Sequence, residues 1–121
     1  MVQVEADPPN NLLRLVFSQR VTAEELHRWA EKLPSLLAQL KSGFRLWSDF
    51  TGLESMEPEC APDVERVMDL CNEAGVAKVV RVIPDPRRDI GLNIMSLFHY
   101  RRRVLIVTCE TVPEGLAALA D

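Results

Sequence analysis

The 121-residue chain predicts a single α/β domain, residues 1–121, built on a mixed, mostly parallel sheet of four or five strands with packed helices. Three observations predict it. Strand-length runs of alternating or β-branched apolar residues take turns with segments whose apolar residues recur at three and four. Two strand-like runs meet near the N-terminus across a Pro/Asn turn, as in an antiparallel hairpin. Two Thr-x-x-Glu sequences, at Thr22 and Thr111, mark helix starts. The order that results is β-β-α-β-α-β-α-β-α. Because βαβ crossovers are right-handed, the later strands are expected to be parallel, with one antiparallel edge.

Val2 and Val4 alternate with polar residues, and Asp7-Pro8-Pro9-Asn10-Asn11 breaks the run. The second strand takes Leu13, Leu15 and Phe17, or Leu12 and Val16, as its buried side. Thr22 can accept the Glu25 amide, and the Glu25 carboxylate can return the bond, with Val21 and Leu26 as the hydrophobic staple. Leu26, Trp29, Ala30, Leu33, Leu37 and Leu40 then form one helix face. Pro34 lies inside it, so a kink or a break into two short helices is expected there, with Gly43 as the stop.

A strand through Phe44, Leu46 and Trp47 ends at Asp49, and a polar loop follows. Pro62 opens a helix whose buried side is Val64, Val67, Met68 and Cys71, ended by Gly75. Lys78 to Ile83 is a strand, and its Lys78 and Arg81 are expected near strand ends or on a partly open face. A third helix follows Asp85-Pro86, with Ile90, Ile94, Leu97 and Phe98 on its buried side. Val104 to Thr108 reads as a strand buried on both faces. Leu116 and Leu119 anchor a short final helix.

Composition excludes several functions. Hydrophobic residues at 47% supply a core, and charged residues at 26% a polar surface. A net charge of -4 disfavours nucleic acid. No apolar run approaches the roughly 18 residues of a membrane span. Met-Val-Gln-Val-Glu is not a basic region followed by an apolar core, so no secretion leader is expected. Cys60, Cys71 and Cys109 are odd in number and contain no Cys-x-x-Cys pair, which points to a reducing, cytoplasmic setting without disulfides or zinc. The scattered glycines form no phosphate loop, and His27 and His99 belong to no ligand cluster, so neither cofactor nor metal is expected.

Thr22 to Leu26, Asp49-Phe-Thr-Gly-Leu53 and the close from Thr108 to Leu119 together resemble a STAS domain, the fold of the anti-sigma factor antagonists. Asp49 to Leu53 is similar to that family's Asp-Leu-Ser-Gly-Val. The resemblance implies a non-catalytic regulatory or protein-interaction module with a protein partner. In phosphorylated members an Asp-Ser-Ser-Gly follows, and its second serine takes the phosphate. A gapless reading sets Glu57 on the aspartate, Pro58 on the first serine, Glu59 on the phosphorylated serine and Cys60 on the glycine. Glu59 then carries a fixed charge of about one, against roughly two for phosphoserine. The implied partner-binding loop is Asp49, Thr51, Gly52, Glu57, Glu59 and Cys60. Ser55 and Thr51 are the alternative phosphate acceptors.

The same loop, with Asp85-Pro-Arg-Arg-Asp89, also looks like an uncharacterised STAS-like branch that shares its fold with lipid-carrier domains. The alternative function is therefore a small apolar-ligand carrier that uses Ile90 to Phe98. Glu54, Glu57, Glu59, Asp63 and Glu65 place five acids in twelve positions, which is either a docking face or a solvated helix N-terminus. Arg87, Arg88, Arg101, Arg102 and Arg103 form a basic patch, either for an anion or a second subunit of a homodimer or simply as surface arginines and a helix C-terminus that favours positive charge. A catalytic reading rests on Cys60 and His99 lying within hydrogen-bonding reach. Asp49 has a purely structural alternative, in which it caps the Thr51 or Gly52 amide.

Overall fold

The computed structural model describes residues 1–84 and 104–121. The stretch expected as a third helix, with its five arginines and His99, lies outside the described residues. Five strands form one sheet in the order β1-β2-β3-β4-β5. They are β1 (Val2–Asp7), β2 (Leu12–Val21), β3 (Arg45–Met56), β4 (Lys78–Val82) and β5 (Leu105–Cys109). β1 runs antiparallel to β2, and every later pair is parallel. The sheet is thus the expected mixed one, with five strands.

The hairpin turn is a 3₁₀ turn at Pro8–Asn10, followed by Asn11 at φ 49°. Asparagine tolerates that left-handed conformation better than most residues. Its side-chain oxygen accepts the Lys41 amide at 2.8 Å, so the turn also anchors the approach to β3.

Helices α1 (Ala23–Leu37) and α2 (Ala61–Ala74) pack on one face of the sheet. Each follows a strand that steps the same way across the sheet, and right-handed crossovers put both helices on the same side. Leu26, Ala30, Leu33 and Leu37 of α1 meet Leu13, Leu15, Phe17 and Leu46 of the sheet. Pro34 does not split α1. It withholds one donor, but the ladder resumes at once, with the Ala38 amide donating to the Pro34 carbonyl at 3.0 Å. The helix ends at Leu37, earlier than Gly43, and Leu40 lies in the following turn. Gly43, at φ 89°, instead turns the chain into β3. Gly75 ends α2 at φ 93°, and a side chain there would also meet the Ser42 hydroxyl.

Helix α3 (Val112–Ala120) covers the other face, over Leu12, Trp47, Val80 and Val82. Thr111 caps it as expected, accepting the Glu114 amide at 3.3 Å. Its packing residues are Gly115 and Leu119, one turn apart; Leu116 points outward and is 55% exposed. The expected anchor moved because Gly115 lets the helix backbone approach Trp47 and Val82. A methyl group at Gly115 would lie 2.7 Å from Val82 and 2.9 Å from the Trp47 ring.

Two expectations about the strands change. β3 has twelve residues and takes in most of the stretch expected as a loop. Lys78 and Arg81 lie toward the two ends of β4, the first of the two expected placements, and are buried, at 9% and 7% exposure. Lys78 lies at the start of β4, and its ammonium donates to the Ala118 carbonyl and, at 3.0 Å, to the Asp121 carbonyl. Arg45 donates to the Leu119 carbonyl at 2.7 Å. Two cations from strand starts thereby satisfy the carbonyls that end α3, where the helix dipole favours positive charge. β5 is an edge among the described strands, and Leu105 is 58% exposed rather than buried on both sides.

Alanine is a better helix former than glycine by about 1 kcal/mol. Gly115→Ala is nevertheless expected to destabilise the fold, by about 1–3 kcal/mol of overpacking against Trp47 and Val82. Urea unfolding of the two proteins measures it. An unchanged or raised midpoint would show that the α3 contact is looser than described.

Candidate functional site

The site begins where β3 parts from β4. β4 ends at Val82, opposite Asp49, and β3 continues from Phe50 to Met56 paired, among the described residues, with β2 alone. This is the carboxyl end of the parallel strands, where sites collect in open α/β sheets. β3 carries one extra residue between Asp49 and Gly52 and another between Leu53 and Ser55. These bulges let Leu53 and Met56 both stay buried, at 3% exposure, while Thr51, Gly52 and Glu54 face solvent.

Asp49 shapes the first bulge. Its Oδ1 accepts the Thr51 amide at 2.8 Å and the Thr51 hydroxyl at 2.6 Å. This is the structural alternative expected for Asp49, with Thr51 as its partner. Gly52 lies against Ser18, and an added methyl would sit 3.2 Å from the Ser18 Cβ.

Glu57 is bound on several sides. Its amide donates to the Val21 carbonyl at 3.1 Å. Its Oε1 accepts the Ala23 amide at 2.8 Å, and its Oε2 lies 3.6 Å from the Arg20 guanidinium. An α-helix starts with orphan amides. Here Thr22 takes the Glu25 amide at 3.2 Å and Glu57 takes Ala23, so α1 is capped from two parts of the chain. Glu25 does not close the expected box onto Thr22. Its Oε2 accepts the Val2 amide at 2.9 Å and ties α1 to β1 instead.

A 3₁₀ turn, Pro58–Cys60, leads into α2. Glu59 is exposed on it, while Cys60 is fully buried, its Sγ 3.9 Å from the Val21 carbonyl. Burial, then the carboxylates of Glu57 and Asp63, push the Cys60 thiol up to about 11. Cys60 therefore supports the turn from beneath and presents neither a surface contact nor a thiolate. One turn on, Asp63 accepts from His27 of α1 at 3.0 Å. Of the five acids in the stretch, Glu57 and Asp63 are engaged with α1, and Glu54, Glu59 and Glu65 are exposed.

The bridge from His27 to Asp63 and the second cap by Glu57 were not foreseen. Glu31, four residues after His27, was a readable local signal. Asp63, thirty-six residues away, gave none. A third unforeseen feature is Ser48, whose hydroxyl is buried with no hydrogen-bond partner among the described residues.

The described residues give the carrier alternative little room. An apolar cleft between α1, α2 and the sheet, lined by residues such as Val4, Trp29 and Val64, has room of about 20 Å³. That is about one water molecule, whereas ligand pockets run from roughly 300 Å³ upward. Ile90 to Phe98, which that alternative uses, lie outside the described residues. No helix among the described residues is long and apolar enough to cross a membrane.

Removing the Glu57 carboxylate should cost about 1 kcal/mol, the scale of a lost helix cap. Glu57→Ala against the parent in chemical denaturation tests this, and an unchanged midpoint would mean that Thr22 alone caps α1. Separately, Cys60 should resist iodoacetamide in the native protein at pH 8, since its thiolate is scarce and its sulfur is covered. Mass mapping of the labelled protein would show the opposite if Cys60 were a working nucleophile.

No family model and no curated protein matches the chain. Solved structures do. One is an uncharacterised protein of the DUF3478 family with a SpoIIAA-like fold from Shewanella loihica. It is similar at a TM-score of 0.68 and 15% identity, over 98% of this chain and 92% of that one. Another is the anti-sigma factor antagonist SpoIIAA in its unphosphorylated form, at a TM-score of 0.64 and 13% identity, over 99% and 98% of the two chains. At these identities the likeness establishes the fold: a divergent STAS-like, SpoIIAA-like α/β domain.

Proposed function

We propose that this domain is a non-catalytic docking module that binds a protein partner through the carboxyl end of its sheet, with Glu59 as the fixed negative charge of the contact. One observation carries the reading. Glu59 stands exposed on a short turn whose two flanking acids are anchored inward, Glu57 to the α1 amide and Asp63 to His27. A charge held on a preorganised turn binds with less ordering cost than one on a loose loop. Thr51 and Gly52 lie exposed nearby in sequence on the bulged end of β3 and complete the contact surface. Asp49, Glu57 and Cys60 shape that surface from within.

The fold shared with SpoIIAA, an anti-sigma factor antagonist, supports a protein partner as the ligand class. On this reading Glu59 stands where a serine phosphate would otherwise add charge, and the module is constitutive rather than switched. The buried, acid-flanked Cys60 supports the non-catalytic part of the reading.

Native mass spectrometry of the protein isolated from its own host's lysate tests the proposal. A stoichiometric protein companion is expected. It should be lost in Glu59→Lys and kept in Glu65→Lys, which reverses an exposed acid further along α2. A companion indifferent to Glu59→Lys would overturn the role given to Glu59. A bound apolar molecule in place of a protein would return the carrier alternative.

A further inference from the structure

His27 faces a carboxylate at each ring nitrogen, hydrogen-bonded to Asp63 and ion-paired with Glu31. Its Nδ1 lies 3.0 Å from Asp63 Oδ1, and its Nε2 lies 3.1 Å from Glu31 Oε1. Both partners are carboxylates, which when ionised can only accept. A neutral imidazole can keep an N–H on Asp63 but has no charge to attract either carboxylate; the imidazolium adds that attraction to both. The two acceptors belong to different elements, Glu31 to α1 and Asp63 to the first turn of α2. The charge state of one side chain therefore bears on how two helices are joined.

We propose that His27 is a proton-operated clasp between α1 and the first turn of α2. As the imidazolium it holds Asp63 by a charge-assisted hydrogen bond and draws Glu31 by charge, and on losing a proton it leaves Asp63 at most a weaker neutral hydrogen bond and loosens the α2 start.

The charged surroundings set the direction. From α2, Asp63 favours the imidazolium, first by its hydrogen bond and then by its charge, while Arg66 opposes it. From α1 itself, Glu31 adds to the attraction. The 3₁₀ turn that also packs on α1 carries Glu57, which is taken up by Ala23 and Arg20, and Glu59, which is exposed. Burial opposes the charge, and the sum raises the His27 pKa above its ordinary 6.5. A group whose affinity for protons is raised by folding contributes fully below its unfolded value and ceases to contribute above its folded one. The clasp is therefore complete below about pH 6.5 and opens as the pH rises through the raised folded value.

Asp63 lies three residues after Cys60, so the clasp pins the downstream end of the turn that carries Glu59. The consequence for docking rests on the function proposed above: partner affinity should fall as the clasp opens. The clasp itself can be tested without a partner.

The experiment is an imidazole ¹⁵N titration by NMR, combined with amide exchange. His27→Gln identifies the resonances, because the chain has two histidines. Both His27 nitrogens are expected to be protonated at pH 6, with a midpoint above 6.5 that drops toward 6.5 in Asp63→Asn. Exchange protection of the amides of residues 63–66, corrected for the intrinsic rate, should fall about two- to fivefold across that midpoint, the scale of an exposed charged pair. In His27→Gln it should show no such step. A midpoint at or below 6.5, or protection that matches His27→Gln at every pH, would overturn the clasp. Neither result bears on Glu59→Lys, so failure of the clasp and failure of the docking reading are separable.

Discussion

The parallel ladder between β2 and β3 sets the geometry of everything around it. β2 is ten residues long and β3 twelve, while β4 is five. The two long strands form the middle of the sheet and then run on together past the end of β4. That overhang is stable because Phe50, Leu53 and Met56, three apart across the two bulges, reach the same core as Phe17 and Val21. The extra residues are absorbed as bulges, which turn Thr51 and Gly52 outward without pulling the apolar residues from the core. Phe17 and Phe50 stack with ring centroids 4.8 Å apart just where the first bulge occurs, and this pins the irregular part of the ladder.

The start of α1 is the second knot. Val21 ends β2, Thr22 caps the helix, and the chain from Met56 onward returns to the same place. The Val21 carbonyl accepts the Glu57 amide and lies against the Cys60 sulfur. Glu57 caps α1, and Asp63 reaches His27 one turn along it. A stretch rich in acids is thereby held by a helix N-terminus and a histidine, both of which favour negative charge. Its remaining acids face outward as a consequence, and this is why an acidic run is at once a structural joint and a candidate contact.

On the opposite face, the end of α3 is satisfied by Arg45 and Lys78 rather than by a glycine cap. A buried ammonium is costly unless it is paired or bonded. Lys78 meets that condition at the carbonyls of Ala118 and Asp121, and the helix gains positive charge where its dipole asks for it. The two faces differ in logic: α1 and α2 are joined by long apolar contacts, whereas α3 is set close by Gly115 and fastened at its end by the strand cations.

Much of the fold was legible in the residues alone. The hairpin, the helix start at Thr22, the apolar faces of α1 and α2, the stop at Gly75 and the sheet with its one antiparallel edge all follow from local periodicity and capping chemistry. These signals are short-range, so the sequence carries them in full. The extent of β3 was not legible, because Thr51, Gly52 and Glu54 look like loop residues until β2 is known to run beside them. The place of Lys78 at a strand end was legible, but its partners were not: they are carbonyls forty residues away, which no sequence pattern displays. At the candidate site, the sequence determined which residues are acidic and that they lead into the start of a helix. Tertiary structure alone decided that Glu57 and Asp63 bond to α1, that Cys60 is buried, and that Glu59 remains at the surface. That division follows from range, since capping and periodicity act within a turn or two, and exposure is settled by which distant segment packs alongside.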